Sequence, residues 1–392
     1  MSCTLTRREM LVRSAQAAGA LATWGIAHPL AVAAKPDRAA RAPTRPVAIQ
    51  RCESYEPRLL RERMDKAFDA IGGIGKLVAG KTVTVKLNLT GHFRTMHDRP
   101  AWETYHTHPN VVAALCAALD AAGAKRIVLG DALYYTKTAE QVLSENGWDL
   151  SAIRSAGGQK VTFVNTKNRG AFKAYSRLKV PWGGYLFPAF DVNGHYEKCD
   201  VFVSLAKLKN HGTAGVTMAV KNLFGITPTA LYGNDAPNED TVSARVAIIH
   251  NAARKVPDGV PAEVDAQPPT DPLLRVPRAT ADKMGARPVD LAVVEGVTTV
   301  RGGEGFWCKN TAYIEPKLLL AGRNAVCTDA ISTAVMGYDP MAGHGQDVFP
   351  GENHLRLLHD VGVGEIDPKR IEVAGLSVKE ALFPFRAPSA KV

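Results

Sequence analysis

Apolar runs and amphipathic segments alternate along the chain. "VAIQRC" (47–52), "KTVTVKLNL" (81–89), "KRIVLGDA" (125–132), "KVTFVNT" (160–166), "DVFVSLAKLK" (200–209), "VDLAVVEG" (289–296), "KLLLAG" (317–322) and "IEVAG" (371–375) read as strands. Between them, 56–73, 107–123, 138–147, 215–225 and 324–337 carry helical spacing. In 107–123, Thr107 is the expected N-cap, Pro109 fits the first turn and Gly123 closes the helix. Several strands are continuous Val/Ile/Leu runs, which suits a sheet buried on both faces. The pattern predicts an α/β fold: a mostly parallel sheet with helices on both faces, three layers in all.

Two stretches break the alternation. Residues 88–106 are polar and rich in histidine. Residues 226–287 form a long insertion rich in Pro, Asp and Asn around one amphipathic helix, "TVSARVAIIHNAARKV" (241–256). Long insertions of this kind often serve as lids or substrate walls. The expected organisation is an export signal (1–34), a linker (35–46), one α/β domain (47–380) and a tail (381–392).

The polar residues gather at the ends of apolar strands. Lys86 and Asn88 end one, Gly130 and Asp131 another. Lys207, Lys209 and His211 end a third, and Glu295 a fourth. In a parallel sheet the carboxyl ends emerge at one edge, where ligands bind. The turn "NHGTAG" (210–215) is expected to open a helix, with Thr213 as cap and exposed backbone N–H groups as an anion site. Thr213, Thr217 and Lys221 lie four apart on a polar stripe beside the apolar one. These residues point to a cleft for a small carboxylate or phosphate. Lys86, His211 and Glu295 are the candidate proton-transfer groups. Asn88, Asp131, Lys207, Lys209, Thr213, Lys221 and Asn222 are the candidate ligand-binding groups.

Two further patterns offer other chemistry. His92, His97, His106 and His108 crowd one loop, and the His106–His108 pair could bind a transition metal with Glu103 or Asp131. A metal- or cofactor-dependent redox protein is therefore an alternative, and a non-catalytic periplasmic anion- or metal-binding protein is a third. The loop "RGGEG" (301–305) matches no phosphate-binding fingerprint, so Arg301 and Glu304 are expected to face solvent.

Composition narrows the classes. Charged residues make up 22% and hydrophobic ones 46%, an ordinary globular balance. The formal charge is +10, without the clustered basic and aromatic residues that nucleic acid would require. The six cysteines include no C-x-x-C, so a ferredoxin-type iron–sulfur cluster is not expected. A disulfide between two of the five cysteines beyond residue 34 would suit an oxidising compartment. The first 34 residues carry Arg7-Arg8, an alanine-rich run and an A-x-A-like site at Ala31–Ala33. They are similar to a twin-arginine signal, which implies the translocase as a partner and a periplasmic location. No later apolar segment is long enough for a stable membrane span.

The segments "VAIQRCESY", "GKTVTVKLNLTG", "THPNVVAALCAALDAAGAKRIVLGD", "SLAKLKNHGTAGVTMAVKNLFG", "VVEGVTTVRGGEG" and "LAGRNAVCTDAISTAVMGYDP" occur in the order of domain-of-unknown-function family 362. The chain resembles that family over residues 46–376. The resemblance takes in Lys86, Asn88, His108, Asp131, Lys207, Lys209, His211, Lys221, Asn222, Glu295 and Asp329. Many members add a ferredoxin-like cysteine segment that this chain lacks, so the iron–sulfur label of the family does not transfer. The family implies no particular reaction.

Overall fold

A computed structural model describes residues 38–236 and 238–386. The expected signal (1–34), the start of the linker and the last residues of the tail lie outside them. The strands are β1 (Val47–Arg51), β2 (Thr82–Lys86), β3 (Arg126–Asp131), β4 (Val161–Asn165), β5 (Ser176–Lys179), β6 (Ala189–Val192), β7 (Val201–Lys207), β8 (Asn210–His211), β9 (Gly215–Val216), β10 (Leu291–Gly296), β11 (Thr299–Arg301), β12 (Ala312–Ile314), β13 (Leu318–Gly322) and β14 (Val373–Gly375). Eight of them form one sheet in the order β14-β1-β13-β10-β7-β2-β3-β4. Strands β10, β7, β2, β3 and β4 are mutually parallel, and β13 runs against both of its neighbours. The fold is α/β, with a mostly parallel sheet.

Both faces of the sheet are covered, which explains the unbroken apolar runs. One core packs α1 (Pro57–Ala70) and α2 (Pro109–Ala121) on Val83, Val85, Val203, Leu205, Leu291 and Val293. The other packs α3 (Met218–Asn222), α4 (Pro272–Ala286) and α5 (Ala325–Val335) on Phe202, Ala292, Val294 and Leu320. Alternate strand residues thus serve opposite layers.

Four local expectations are corrected. The cap of α2 is His108, whose Nδ1 accepts from Asn110 N–H at 3.1 Å. Thr107 instead accepts from Asn88 N–H at 2.9 Å and ties α2 to the end of β2. "NHGTAG" opens no helix: it forms the hairpin β8–β9, and α3 begins only at Met218. Of the expected helix 241–256, only a π-helical turn, Val246–His250, forms. Arg245 stands at the start of that turn and His250 at its end, and π turns recur at functional sites.

The last correction concerns α4, which the insertion hides from a hydropathy pattern. It buries Arg275, Asp282 and Lys283. Arg275 pairs with Glu263 at 2.8 Å, and the Asp282 carboxylate accepts from the N–H groups of Tyr185, Leu186 and Phe187. Charged residues on the buried side erase the apolar stripe by which a helix is recognised. The five described cysteines, Cys52, Cys116, Cys199, Cys308 and Cys327, are all free thiols, so the disulfide considered for them is not formed. Among the described residues, no helix is long and apolar enough to cross a membrane.

Candidate functional site

Strands β10, β7, β2 and β3 are adjacent and parallel, so their carboxyl ends do meet at one edge. Past that edge lies a cavity of about 560 Å³. Of the candidate residues, Lys86, Asn88, Asp131, Lys209, His211, Thr213, Lys221 and Asn222 line it. Lys207, Glu295, His106 and His108 do not.

Lys207 and Glu295 are displaced by alternation. They sit opposite one another in register on β7 and β10, on the face covered by α1 and α2. There the Lys207 Nζ meets Glu295 Oε1 at 2.8 Å, with both side chains fully buried. Tyr55 Oη donates to Glu295 Oε2, and the His108 N–H donates to Oε1. Lys207 also donates to the carbonyl of Trp102 at 2.9 Å. Burial works to lower the Lys207 ammonium and to raise the Glu295 carboxyl, and each charge opposes the shift of the other. Glu295 is therefore a structural counter-ion rather than a proton shuttle of the cavity. Lys207 and Lys209 are two apart, a spacing that would put them on one face of a continuing strand. The strand ends at Lys207, and Lys209 turns instead to the carbonyls of Tyr105 and Glu304, at 2.6 and 3.0 Å.

Lys86 points to the other face. Its Nζ lies 2.7 Å from Asp131 Oδ1 and donates to Asn222 Oδ1 and to the Leu87 carbonyl. Asp131 is held by the N–H groups of Leu89 and Ala132, and the Asn222 amide donates to the Lys86 carbonyl and Ser204 Oγ. This network is saturated, so Lys86 supplies charge but has no free donor for proton transfer. Gly225 roofs it. A Cβ there would lie 2.6 Å from Lys86 Nζ and 2.9 Å from Asp131 Oδ1. Gly225→Ala should force the ion pair apart and cost roughly 1–3 kcal/mol. The shift in denaturant midpoint at unchanged slope would measure it.

The expected anion site at a helix start is already filled. The N–H groups of Ala219 and Val220 donate to the Asp329 carboxylate on α5, at 2.9 and 2.7 Å. Burial pushes the Asp329 carboxyl up to about 8 in spite of those donors.

Among the lining residues outside the sequence candidates, Arg245, His250 and Glu304 bring further charge and imidazole to the cavity. Arg245 spends Nε on the Thr227 carbonyl and Nη1 on Tyr134 Oη, and its buried Nη2 has no partner among the described residues. Glu304, expected in solvent, is half-buried and accepts from Gly212 N–H, Trp307 Nε1–H and Cys308 S–H. Burial opposes its ionisation, but these donors favour the carboxylate and hold it below its ordinary range. Phe306 and Trp307 from the same loop complete the wall, and Trp307 packs over Gly91.

His211 and Lys221 are the groups left free. The Nδ1 of His211 accepts from the N–H groups of Thr213 and Ala214, so the ring proton sits on Nε2. Burial, with Lys221 beside it, keeps this imidazole neutral. Lys221 is 6% exposed, and its Nζ has no hydrogen bond or ion pair among the described residues. It rests 3.9 Å from the centre of the Phe224 ring. Burial and the Arg245 and Lys86 cations push this ammonium down to about 7, against the pull of Glu304.

In the histidine-rich loop, His92 reaches the cavity wall, while His106 and His108 serve the fold. His106 Nε2 donates to the Thr90 carbonyl at 2.7 Å, and its Nδ1 is buried without a partner. His108 caps α2 and stacks on Tyr55 with ring centres 3.6 Å apart. Among the described residues, no three His, Cys, Asp or Glu side chains are grouped to hold a metal ion.

A thylakoid-associated protein of Synechocystis is 31% identical over 191 residues, covering 46% of this chain and 50% of that protein. The match thus spans only half the length of that relative. Two solved structures show weak likeness. A Thermotoga maritima protein has a TM-score of 0.33 at 13% identity, over 67% of this chain and 55% of that one. The lactate racemase apoprotein of Thermoanaerobacterium thermosaccharolyticum has a TM-score of 0.35 at 15% identity, over 72% and 55%. At those scores neither bears on chemistry. The sequence model of the family described as "Domain of unknown function (DUF362)" matches residues 83–334, the stretch that holds the whole strand-edge cluster. This chain belongs to that family.

Proposed function

We propose that the protein is an exported periplasmic enzyme acting on a small carboxylate or phosphate in the strand-edge cavity. One observation carries this: Lys221, nearly buried, faces the cavity with no ion-pair partner among the described residues. A buried ammonium without a partner is costly, and an anionic ligand would relieve that cost. The surroundings agree. Lys86, Lys209, Lys221 and Arg245 line the cavity against only Asp131 and Glu304. Arg245 adds a second free donor, and Asn88 Oδ1 is a buried acceptor without a partner. Lys221 and Arg245 hold the anion in this scheme. The neutral His211 ring offers Nε2–H as a hydrogen-bond donor to the ligand, and Glu304 is the carboxylate that receives a proton. These two replace Glu295, which is committed to Lys207.

A thermal-shift screen of mono- and dicarboxylates and inorganic phosphate tests the proposal. A ligand at a hundred times its dissociation constant should stabilise the chain by about 2.7 kcal/mol. Lys221→Met should lose most of that gain, while Lys66→Met, on an exposed pair with Glu62, should keep it. The stabilisation should weaken as pH rises through about 7, because Lys221 and Lys209, both lowered mainly by burial, lose their protons there. Consumption of the ligand distinguishes an enzyme from a protein that only captures it. Export is tested separately: replacing Arg7 and Arg8 with lysine should leave the chain in the cytoplasmic fraction.

A further inference from the structure

We propose that Lys221 is a nucleophile that forms a Schiff base with a small 2-oxo acid. This rests on the anion cavity and names its substrate class and covalent step.

The choice of Lys221 follows from what the other cations do. Lys86 is tied to Asp131, Asn222 and a carbonyl. Lys209 is tied to two carbonyls. Arg245 cannot act as an amine nucleophile. Lys221 alone of the four presents a primary amine with every donor free. Amines become nucleophilic when they are desolvated in an apolar pocket or set beside other cations. Lys221 has both conditions. It lies on the face of Phe224, and the same ring lies 3.9 Å from Lys283 Nζ. Lys283 is fully buried and has no partner among the described residues, and its amine too is driven well below its ordinary range, chiefly by burial.

The charged groups bearing on Lys221 come from several elements. Arg245 and Lys86 favour the neutral amine, and Glu304 opposes them. The imidazoles of His211 and His250, half-buried, and of His354, buried, are all held neutral, so they add no charge. The amine is therefore available near neutral pH.

The step needs no outside reagent. The Lys221 lone pair forms a C–N bond to the carbonyl carbon, and the carbonyl oxygen takes a proton to give a carbinolamine. The nitrogen gives up two protons in all, one as the carbinolamine forms and one as the imine forms; the hydroxyl takes the second, and the C–O bond breaks to release water. One carbonyl and one amine become one imine and one water. The Glu304 carboxylate can carry each proton from nitrogen to oxygen, while the neutral His211 ring steadies that oxygen with an Nε2–H hydrogen bond. The substrate carboxylate falls to Arg245 Nη2 and Lys209.

The test is reductive trapping. The folded chain is mixed with pyruvate, glyoxylate or 2-oxoglutarate, reduced with borohydride and mapped by peptide mass. The expected result is one adduct on the peptide carrying Lys221, forming faster as pH rises through about 7. That trend is opposite to the pH dependence of simple anion binding, which separates the two. Lys221→Arg keeps a cation at the site but should lose the adduct completely. Its circular dichroism and melting curve show whether it is folded. Should that variant unfold, competition decides instead: succinate, an anion without a carbonyl, should protect Lys221 of the unaltered chain from labelling. Stabilisation by a 2-oxo acid without an adduct on Lys221 overturns the Schiff base and leaves the anion cavity standing. Labelling spread over exposed lysines overturns it as well. If none of the three acids binds or labels, the proposal fails, and the cavity is judged on the wider anion screen.

Discussion

Lys207→Met should be among the most destabilising single substitutions in this chain, by roughly 3–5 kcal/mol. The pair it breaks is fully buried, and Glu295 would keep its Tyr55 and His108 donors but lose its counter-charge. The cost is that of stranding a carboxylate in the core, not the net worth of the ion pair. The double variant Lys207→Met/Glu295→Leu should therefore recover most of the loss, since a well-packed apolar pair often replaces a buried ion pair without penalty. Urea unfolding of the two variants and the parent measures both effects. Lys207→Met should also leave anion binding largely intact, because the pair faces α1 and α2 rather than the cavity. A selective loss of binding with stability unchanged would return Lys207 and Glu295 to the site.

Asp329→Ala should cost roughly 2–5 kcal/mol, because it leaves the buried N–H groups of Ala219 and Val220 without acceptors. Its effect should reach the cavity as well. Lys221 follows Val220 directly on α3, so loosening that turn frees the ammonium from its place on Phe224. The expected result is a lower melting temperature together with weaker stabilisation by any anion found in the screen. Buried acidity adds a pH signature. Burial raises the Asp329 carboxyl to about 8 in the fold, so its contribution is fully present below its unfolded value and is lost as pH rises through about 8. Stability of the parent should fall over that window more steeply than stability of Asp329→Ala.

The strand edge was readable because four strands carry apolar interiors and charged carboxyl ends, a pattern that few other arrangements permit. Lys86, Asp131, His211 and Lys221 meet there as their positions imply. What a linear pattern cannot show is which side of the sheet a strand-end residue takes. One residue of offset separates Lys86, which faces α3, from the side chains that face α1 and α2. That offset depends on where each strand begins its pairing. Arg245 and His250 were hidden differently, because they lie in the long insertion and reach the cavity through a π turn that no periodicity announces. Glu304 sits in a glycine-rich loop that reads as solvated. Only the fold of Phe306 and Trp307 over Gly91 brings it inward. Asp329 was picked out by family resemblance alone, and its partners are backbone N–H groups, which sequence does not reveal.

The most direct measurement is a crystal structure of the chain with the anion that stabilises it most. The account predicts the anion in the cavity, with an oxygen about 2.7–3.2 Å from Lys221 Nζ and another at the same range from Arg245 Nη2. An anion seated elsewhere, with Lys221 still unpartnered, would contradict it.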